Sequence, residues 1–172
     1  ADGSARAVVV ISKNANVATG QQGHDDAIEV ARSVAARLGC EPTDVVVTST
    51  GVIGRRYPIE RIRAGLAVLP GELTSDDADR PARGMMTTDT VPKLAEATVA
   101  GSTARVVGMA KGVGMIEPDM ATHISLLFTD AELTSADLDA AFRRVVDRTF
   151  NCVSVDTDTS TSDSSVIMAS GV

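Results

Sequence analysis

Gly108-Met-Ala-Lys111-Gly112-Val-Gly114-Met-Ile-Glu117-Pro118-Asp119-Met-Ala121-Thr122 is the stretch from which the rest of the chain can be read. The run Arg105-Val-Val-Gly-Met109 leads into it as a strand, and His123–Phe128 leads out of it as another. Glycines on both sides of Lys111 let backbone N–H groups approach a bound molecule closely. The stretch ends on Ala121-Thr122, a small-residue peptide bond directly ahead of a hydroxyl. A threonine freed at a new N-terminus carries its own general base, because the α-amine titrates near neutrality and can take the hydroxyl proton. Ala-Thr pairs are common and most are structural, so chemistry alone leaves the assignment open.

Outward from this stretch, strands alternate with helices. Arg6–Ile11 reads as a buried strand, followed by a polar loop through Asn14, Asn16, Thr19, Gly20 and Gly23. Asp25 or Asp26 would cap a helix with Ile28, Ala31, Ala35 and Leu38 on one face, closed by Gly39. Val45-Val46-Val47 is a strand, and Pro58 suits the first position of a helix with Ile59, Ile62, Leu66 and Leu69 inward. Pro70–Arg83 reads as a surface loop. Thr134-Ser135-Ala136-Asp137 opens an amphipathic helix with Leu138, Ala141, Phe142, Val145, Val146 and Phe150 facing inward. Val153–Val155 reads as a strand and Asp163–Ala169 as the start of a helix. The expected class is α/β, layered rather than bundled.

Composition narrows the function. The 172 residues hold 23 acidic and 16 basic side chains, for a net charge of −7. No basic stripe is present to displace counterions from phosphates, and 2% aromatic content offers no stacking platform, so nucleic acid is an unsuitable partner. No apolar run has the length of a membrane span. Cys40 and Cys152 show neither CxxC spacing nor a disulfide framework, which makes a reducing cytoplasm the default.

Each candidate motif has a plain reading beside its chemical one. Thr50-Gly51 falls after a strand and before a helix, where backbone N–H groups point at a ligand, or it is a tight turn. Lys111 is not a P-loop lysine, because no Gly-Lys-Ser/Thr follows, and a lone lysine is most often a solvated charge. Thr87-Thr88-Asp89-Thr90 could be a hydroxyl-rich strand or a capping segment. Asp156-Thr-Asp158-Thr-Ser160 fails the calcium-loop pattern at Thr161 and Ile167, and its side chains are expected to cap the helix that follows. His24 and His123 are too isolated to hold a metal.

Taken together, Gly108–Thr122, Ser49-Thr50-Gly51-Val52-Ile53-Gly54, Met86-Thr87-Thr88-Asp89-Thr90-Val91-Pro92-Lys93 and Val155–Thr161 resemble the ornithine acetyltransferase family, also called glutamate N-acetyltransferase, of arginine biosynthesis. The four motifs match in order along essentially the whole chain. The resemblance implies a sandwich of β-sheets flanked by helices, made as one precursor that cuts itself between Ala121 and Thr122. Residues 1–121 would then be the C-terminal part of an α subunit and 122–172 the N-terminal part of a β subunit, with further chain on both sides and an α2β2 or larger assembly. It implies that Thr122 is the nucleophile, that Thr50 and Gly51 form the oxyanion hole, and that Lys111 and Thr88 contact the substrate, with Thr87 open as the alternative to Thr88. The substrates would be N-acetylornithine and glutamate, with no metal or organic cofactor. Some family members also take acetyl-CoA.

Several positions depart from the family pattern. Lys13 and Thr157 stand where glycine is usual, Glu117 and Asp119 replace a more neutral Ala-Pro-Asn, and His123-Ile124 replaces Met-Leu. They point to a divergent paralogue and leave its natural acceptor open. Two other readings compete. One is an N-terminal-nucleophile amidohydrolase or aminopeptidase, in which water replaces glutamate. The other is a non-catalytic α/β domain whose glycine loops hold a small anion.

Overall fold

A computed structural model describes residues 3–70, 77–117, 120, 121 and 123–172. The chain folds as two compact units, Ala1–Asp76 and Asp77–Val172. Both mix strands with helices, which is the α/β class read from the sequence.

In the first unit, β1 (Ala7–Asn14) and β2 (Val45–Val52) run parallel, in register from Ala7 opposite Val45 to Lys13 opposite Gly51. Parallel neighbours need a long crossover, and helix α1 (Gly20–Leu38) supplies it. Val34 and Ala35 of α1 bury against Val45, with Val9, Val47, Leu38 and Leu66 packed around them. Gly39 ends the helix at φ +66°, the left-handed conformation expected of it. Helix α2 (Ile59–Ala67) starts after Pro58, whose carbonyl accepts from the Arg61 and Ile62 N–H groups. Arg63 ties α2 to α1 by a forked ion pair to Glu29.

Helix α1 begins earlier than the Asp25 or Asp26 cap the sequence suggested. Gly20 and Gly23 were read as loop, but the preceding loop folds onto the helix: Asn16 Nδ2 donates to the Gly23 carbonyl at 2.9 Å. A side chain at residue 23 would sit 1.9 Å from Thr19 Oγ1, so glycine is there for space. Asp26 is instead 2% exposed on the second turn, bonded to Gln22 at 2.9 Å and 3.6 Å from Arg56.

The second unit is built on a four-stranded sheet, β3 (Lys93–Thr98), β4 (Arg105–Lys111), β7 (Ile124–Thr129) and β8 (Ser164–Ala169), in that spatial order. β3–β4–β7 are antiparallel and β8 joins β7 in parallel. The short pair β5 (Ile116–Glu117) and β6 (Met120–Ala121) lies between β4 and β7 in sequence. Helix α4 (Ser135–Arg148) is capped by Thr134, whose hydroxyl accepts from the Asp137 N–H at 3.1 Å, and it packs against β8.

Four further expectations need correction. Within the expected loop of residues 70–83, Asp79–Gly84 forms a short helix, α3, because Ala82 (0% exposed) has a core to enter and Pro81 falls in the first turn, where its missing N–H costs nothing. Residues 71–76 lie outside the described residues. Asp163–Ala169 is a strand rather than a helix start, since Val166-Ile167 pairs with Leu126-Leu127 of β7. Val153–Val155 is irregular and makes one ladder-like bond, from the Val155 N–H to the Ile116 carbonyl at 2.8 Å. Val145 is 50% exposed, while Leu138, Ala141, Phe142, Val146 and Phe150 are half-buried.

Candidate active site

Thr50 and Gly51 lie in the first unit, inside the end of β2 rather than beyond it. Thr50 is 1% exposed. Gly51 takes φ +129°, and a Cβ there would stand 2.3 Å from the Lys13 carbonyl carbon across the strand pair. Only glycine fits that close approach. Lys13 itself takes φ +85°. The chain beyond the two strand ends is knit by the Ala15 N–H to the Val52 carbonyl (3.1 Å), the Gly54 N–H to the Val17 carbonyl (2.8 Å) and Asn14 Nδ2 to the Arg56 carbonyl (3.1 Å). The two residues therefore sit at strand ends tied together by hydrogen bonds.

Thr88 and Lys111 lie in the second unit. Lys111 closes β4 and is 2% exposed, far from the solvated charge that a lone lysine usually is. A buried ammonium is costly unless it is hydrogen-bonded, and Lys111 Nζ donates to Thr87 Oγ1 at 2.9 Å. Next to it, the fully buried Asp89 carboxylate accepts from Lys93 Nζ at 2.6 Å, from the Gly112 N–H at 2.8 Å and from the Thr87 N–H at 3.3 Å. Burial pushes the Asp89 carboxyl up, but the Gly112 N–H, Lys93 and the Thr87 N–H outweigh it and hold the group at about 2. The Thr-Thr-Asp segment is thus clamped to the glycine-flanked lysine. Thr87 makes the contact with Lys111, while Thr88 beside it is exposed.

A cavity of about 310 Å³ opens beside Lys111, walled by Ile116, His123, Val146, Phe150 and Asp163 among others. The His123 N–H donates to Asp163 Oδ1 at 2.8 Å, and its ring lies 4.6 Å from that of Phe150. His123 Nε2 is buried with no hydrogen-bond partner among the described residues. Burial, then the charges of Lys111 and Lys93, pull the imidazole below its usual value. Asp163 is exposed along part of its surface, yet burial of its carboxyl at the cavity pushes it up to about 6, against the lowering pull of the His123 N–H and Lys111.

Ala121 ends the β5–β6 pair opposite Ile116. That pair is held from below by Asp156, whose carboxylate accepts from the Met115 and Ile116 N–H groups at 2.7 and 2.9 Å. Asp156 therefore braces this turn instead of capping a following helix, and those N–H groups lower its carboxyl. Thr122, Pro118 and Asp119 lie outside the described residues. Asp89, Lys93 and Asp163 escaped the sequence reading as site residues; only the position of Asp89 inside Thr-Thr-Asp-Thr offered a signal.

The fold and site define a mixed α/β protein with a buried lysine on the wall of a cavity of small-metabolite size. The model of the ArgJ family matches residues 1–172, and the chain belongs to that family. It is 54% identical over 171 residues to "Arginine biosynthesis bifunctional protein ArgJ 2" of a Nostoc species, covering 99% of this chain and 44% of that protein. It is 54% identical over 172 residues to "Glutamate N-acetyltransferase Oat2" of Streptomyces clavuligerus, covering 100% of this chain and 43% of the relative. The chain thus spans less than half the length of these curated relatives. Among solved structures it is similar to the arginine biosynthesis bifunctional protein ArgJ of Bacillus halodurans, with a TM-score of 0.59 at 39% identity over 65% of this chain and 60% of that one. It is also similar to ornithine acetyltransferase of Mycobacterium tuberculosis complexed with ornithine, with a TM-score of 0.58 at 37% identity over 65% of this chain and 61% of that one.

Proposed function

We propose that this chain carries part of the acyl-transfer centre of a cytoplasmic N-acetyltransferase of arginine biosynthesis, moving an acetyl group from N-acetyl-L-ornithine to L-glutamate. The observation that carries this reading is the ArgJ family match over residues 1–172, with relatives named as arginine biosynthesis bifunctional proteins and as a glutamate N-acetyltransferase. The buried Lys111 and the clamp around it support a preformed site in the second unit.

In this proposal Thr122 attacks the Ala121 carbonyl, an N-to-O acyl shift follows, and water hydrolyses the ester to leave Thr122 at a new N-terminus. Residues 1–121 then belong to the α subunit and 122–172 to the β subunit of an α2β2 or larger assembly. The freed α-amine takes the Thr122 hydroxyl proton while the oxygen attacks the acetyl carbonyl of N-acetylornithine. Thr50 and Gly51 hold the oxyanion, a contribution typically worth roughly 10²–10³ in rate per donor. The C–N bond breaks, the proton goes to the departing nitrogen, and ornithine leaves an acetyl ester on Thr122. The glutamate amine attacks that ester, returns the hydroxyl to Thr122 and leaves as N-acetylglutamate. Lys111 and Thr88 orient the amino acids, with Lys111 facing a carboxylate. Acetyl-CoA is a second donor to be tried.

Product analysis on the complete protein tests this. N-acetylornithine with glutamate should give N-acetylglutamate and ornithine in equal amounts, and Thr122→Ala should give neither. Release of free acetate at a rate indifferent to glutamate would turn the reading into an amidohydrolase. An uncut chain without turnover would leave a binding domain.

A further inference from the structure

Asp163 was expected to open a helix, and it does something else. Its carboxylate takes the His123 N–H at 2.8 Å from a point 40 residues along the chain. The Ser164 N–H donates to the His123 carbonyl at 2.9 Å, and the imidazole lies tilted against the Phe150 ring at 4.6 Å. Residue 123 is therefore gripped at its N–H, its carbonyl and its ring. Asp163 follows a braced turn: Ser160 is 1% exposed, and its oxygen accepts from the Ser162 N–H at 3.2 Å.

The His123 N–H belongs to the peptide group that joins residues 122 and 123. Ahead of it, the chain is carried by the β5–β6 pair, which ends at Ala121 opposite Ile116. Cutting between 121 and 122 severs that support, and a free N-terminus frays unless something ties it down. A peptide group is planar, so holding its N–H at residue 123 constrains the residue on its other side. We propose that Asp163 is a positioning residue for the acetyl-carrying threonine, holding the N–H of His123 next to it once the upstream strand has been cut away. This rests on Thr122 being the nucleophile, as proposed above. Asp163 takes no part in the bond changes; it acts through the backbone of His123. Among the described residues, the charged and titratable side chains that share its cavity are Lys111 at the end of β4, Lys93 at the start of β3 and His123 itself, while α4 presents Val146 there and the turn after it Phe150 and Asn151.

The test uses the complete self-cleaved protein and three variants, Asp163→Ala, Asp163→Asn and Ser160→Ala, with kcat, KM, the cut fraction and melting measured for each. A displacement of the nucleophile by about 1 Å typically costs on the order of 10² in rate. Asp163→Ala should therefore lose roughly that factor in kcat per cut protein, with KM for N-acetylornithine moving less than about threefold. Asp163→Asn keeps an acceptor oxygen and should retain kcat within about threefold, and Ser160→Ala should fall between the two. The proposal is overturned if Asp163→Ala keeps its kcat, if Asn is as slow as Ala, or if the loss merely follows the unfolded fraction. Should Asp163→Ala stay uncut, Ser160→Ala decides, since it leaves the carboxylate in place. Activity surviving in Thr122→Ala would instead sink the underlying reading, whatever the Asp163 variants do.

Discussion

At Lys13 the backbone takes φ +85° and at Thr157 φ +59°, both in the region that L side chains avoid. At these two positions the resemblance noted in the sequence led us to expect glycine. Side chains on a left-handed backbone cost about 1–2 kcal/mol each, and more for a β-branched residue. Lys13→Gly and Thr157→Gly should therefore raise stability by up to about 1 kcal/mol net of the added unfolded-state freedom, the larger gain at residue 157. Urea midpoints measure it, and a loss at both positions would refute the strain argument. Gly51→Ala should do the reverse and cost more than about 2 kcal/mol, because its Cβ would meet the Lys13 backbone 2.3 Å away. His123 buries Nε2 without a partner among the described residues. An unsatisfied buried group costs about 1–3 kcal/mol, so His123→Met should gain stability, read as a higher melting temperature.

Among the elements, those whose local signals agreed with their surroundings were legible. β1 and β2 came from valine runs, Gly39 from its place at a helix end, and α4 from the Thr134 cap. Thr134→Ala should cost about 1 kcal/mol in urea unfolding. The misread elements were decided by distant partners. Asp163-Ser164-Ser165 has the composition of a helix cap, but β7 offers Val166-Ile167 a parallel neighbour, and pairing prevails over propensity. The start of α1 was hidden because Gly20 and Gly23, ordinary loop residues, serve a loop that lies on the helix.

The clamp between the Thr87–Asp89 segment and β4 makes a pH prediction. Asp89 ordinarily ionises at 3.8 and here at about 2, so the folded state binds its proton less tightly than the unfolded state. Its stabilisation is fully present above pH 3.8 and is lost as pH falls toward about 2. The shift corresponds to roughly 2–3 kcal/mol. Asp89→Asn should flatten that part of the acid-unfolding curve, and an unchanged curve would show that the carboxylate is not clamped.

For the whole molecule, the sequence exposed local motifs but not the long-range contacts each of them makes. The glycines around Lys111, the Thr-Thr-Asp motif and Thr50-Gly51 were visible as motifs. That Lys111 reaches back 24 residues to Thr87, or that His123 is held from 40 residues ahead, could not be read, because such contacts depend on strand order rather than on local spacing. The acidic balance and the small cavity fit a metabolite site, and family membership supplies the chemistry to test there. Lys111→Met should raise KM for the amino-acid substrates more than it lowers kcat, as expected for a cation that binds a carboxylate throughout the reaction.

The most direct measurement is an intact-mass spectrum, under denaturing conditions, of the protein expressed from the complete reading frame that carries this chain. The account predicts two fragments with one beginning at Thr122. That fragment should grow heavier by one acetyl group on incubation with N-acetylornithine and return to its original mass when glutamate is added. A single uncut mass, or a cut fragment that never takes up an acetyl group, would contradict it.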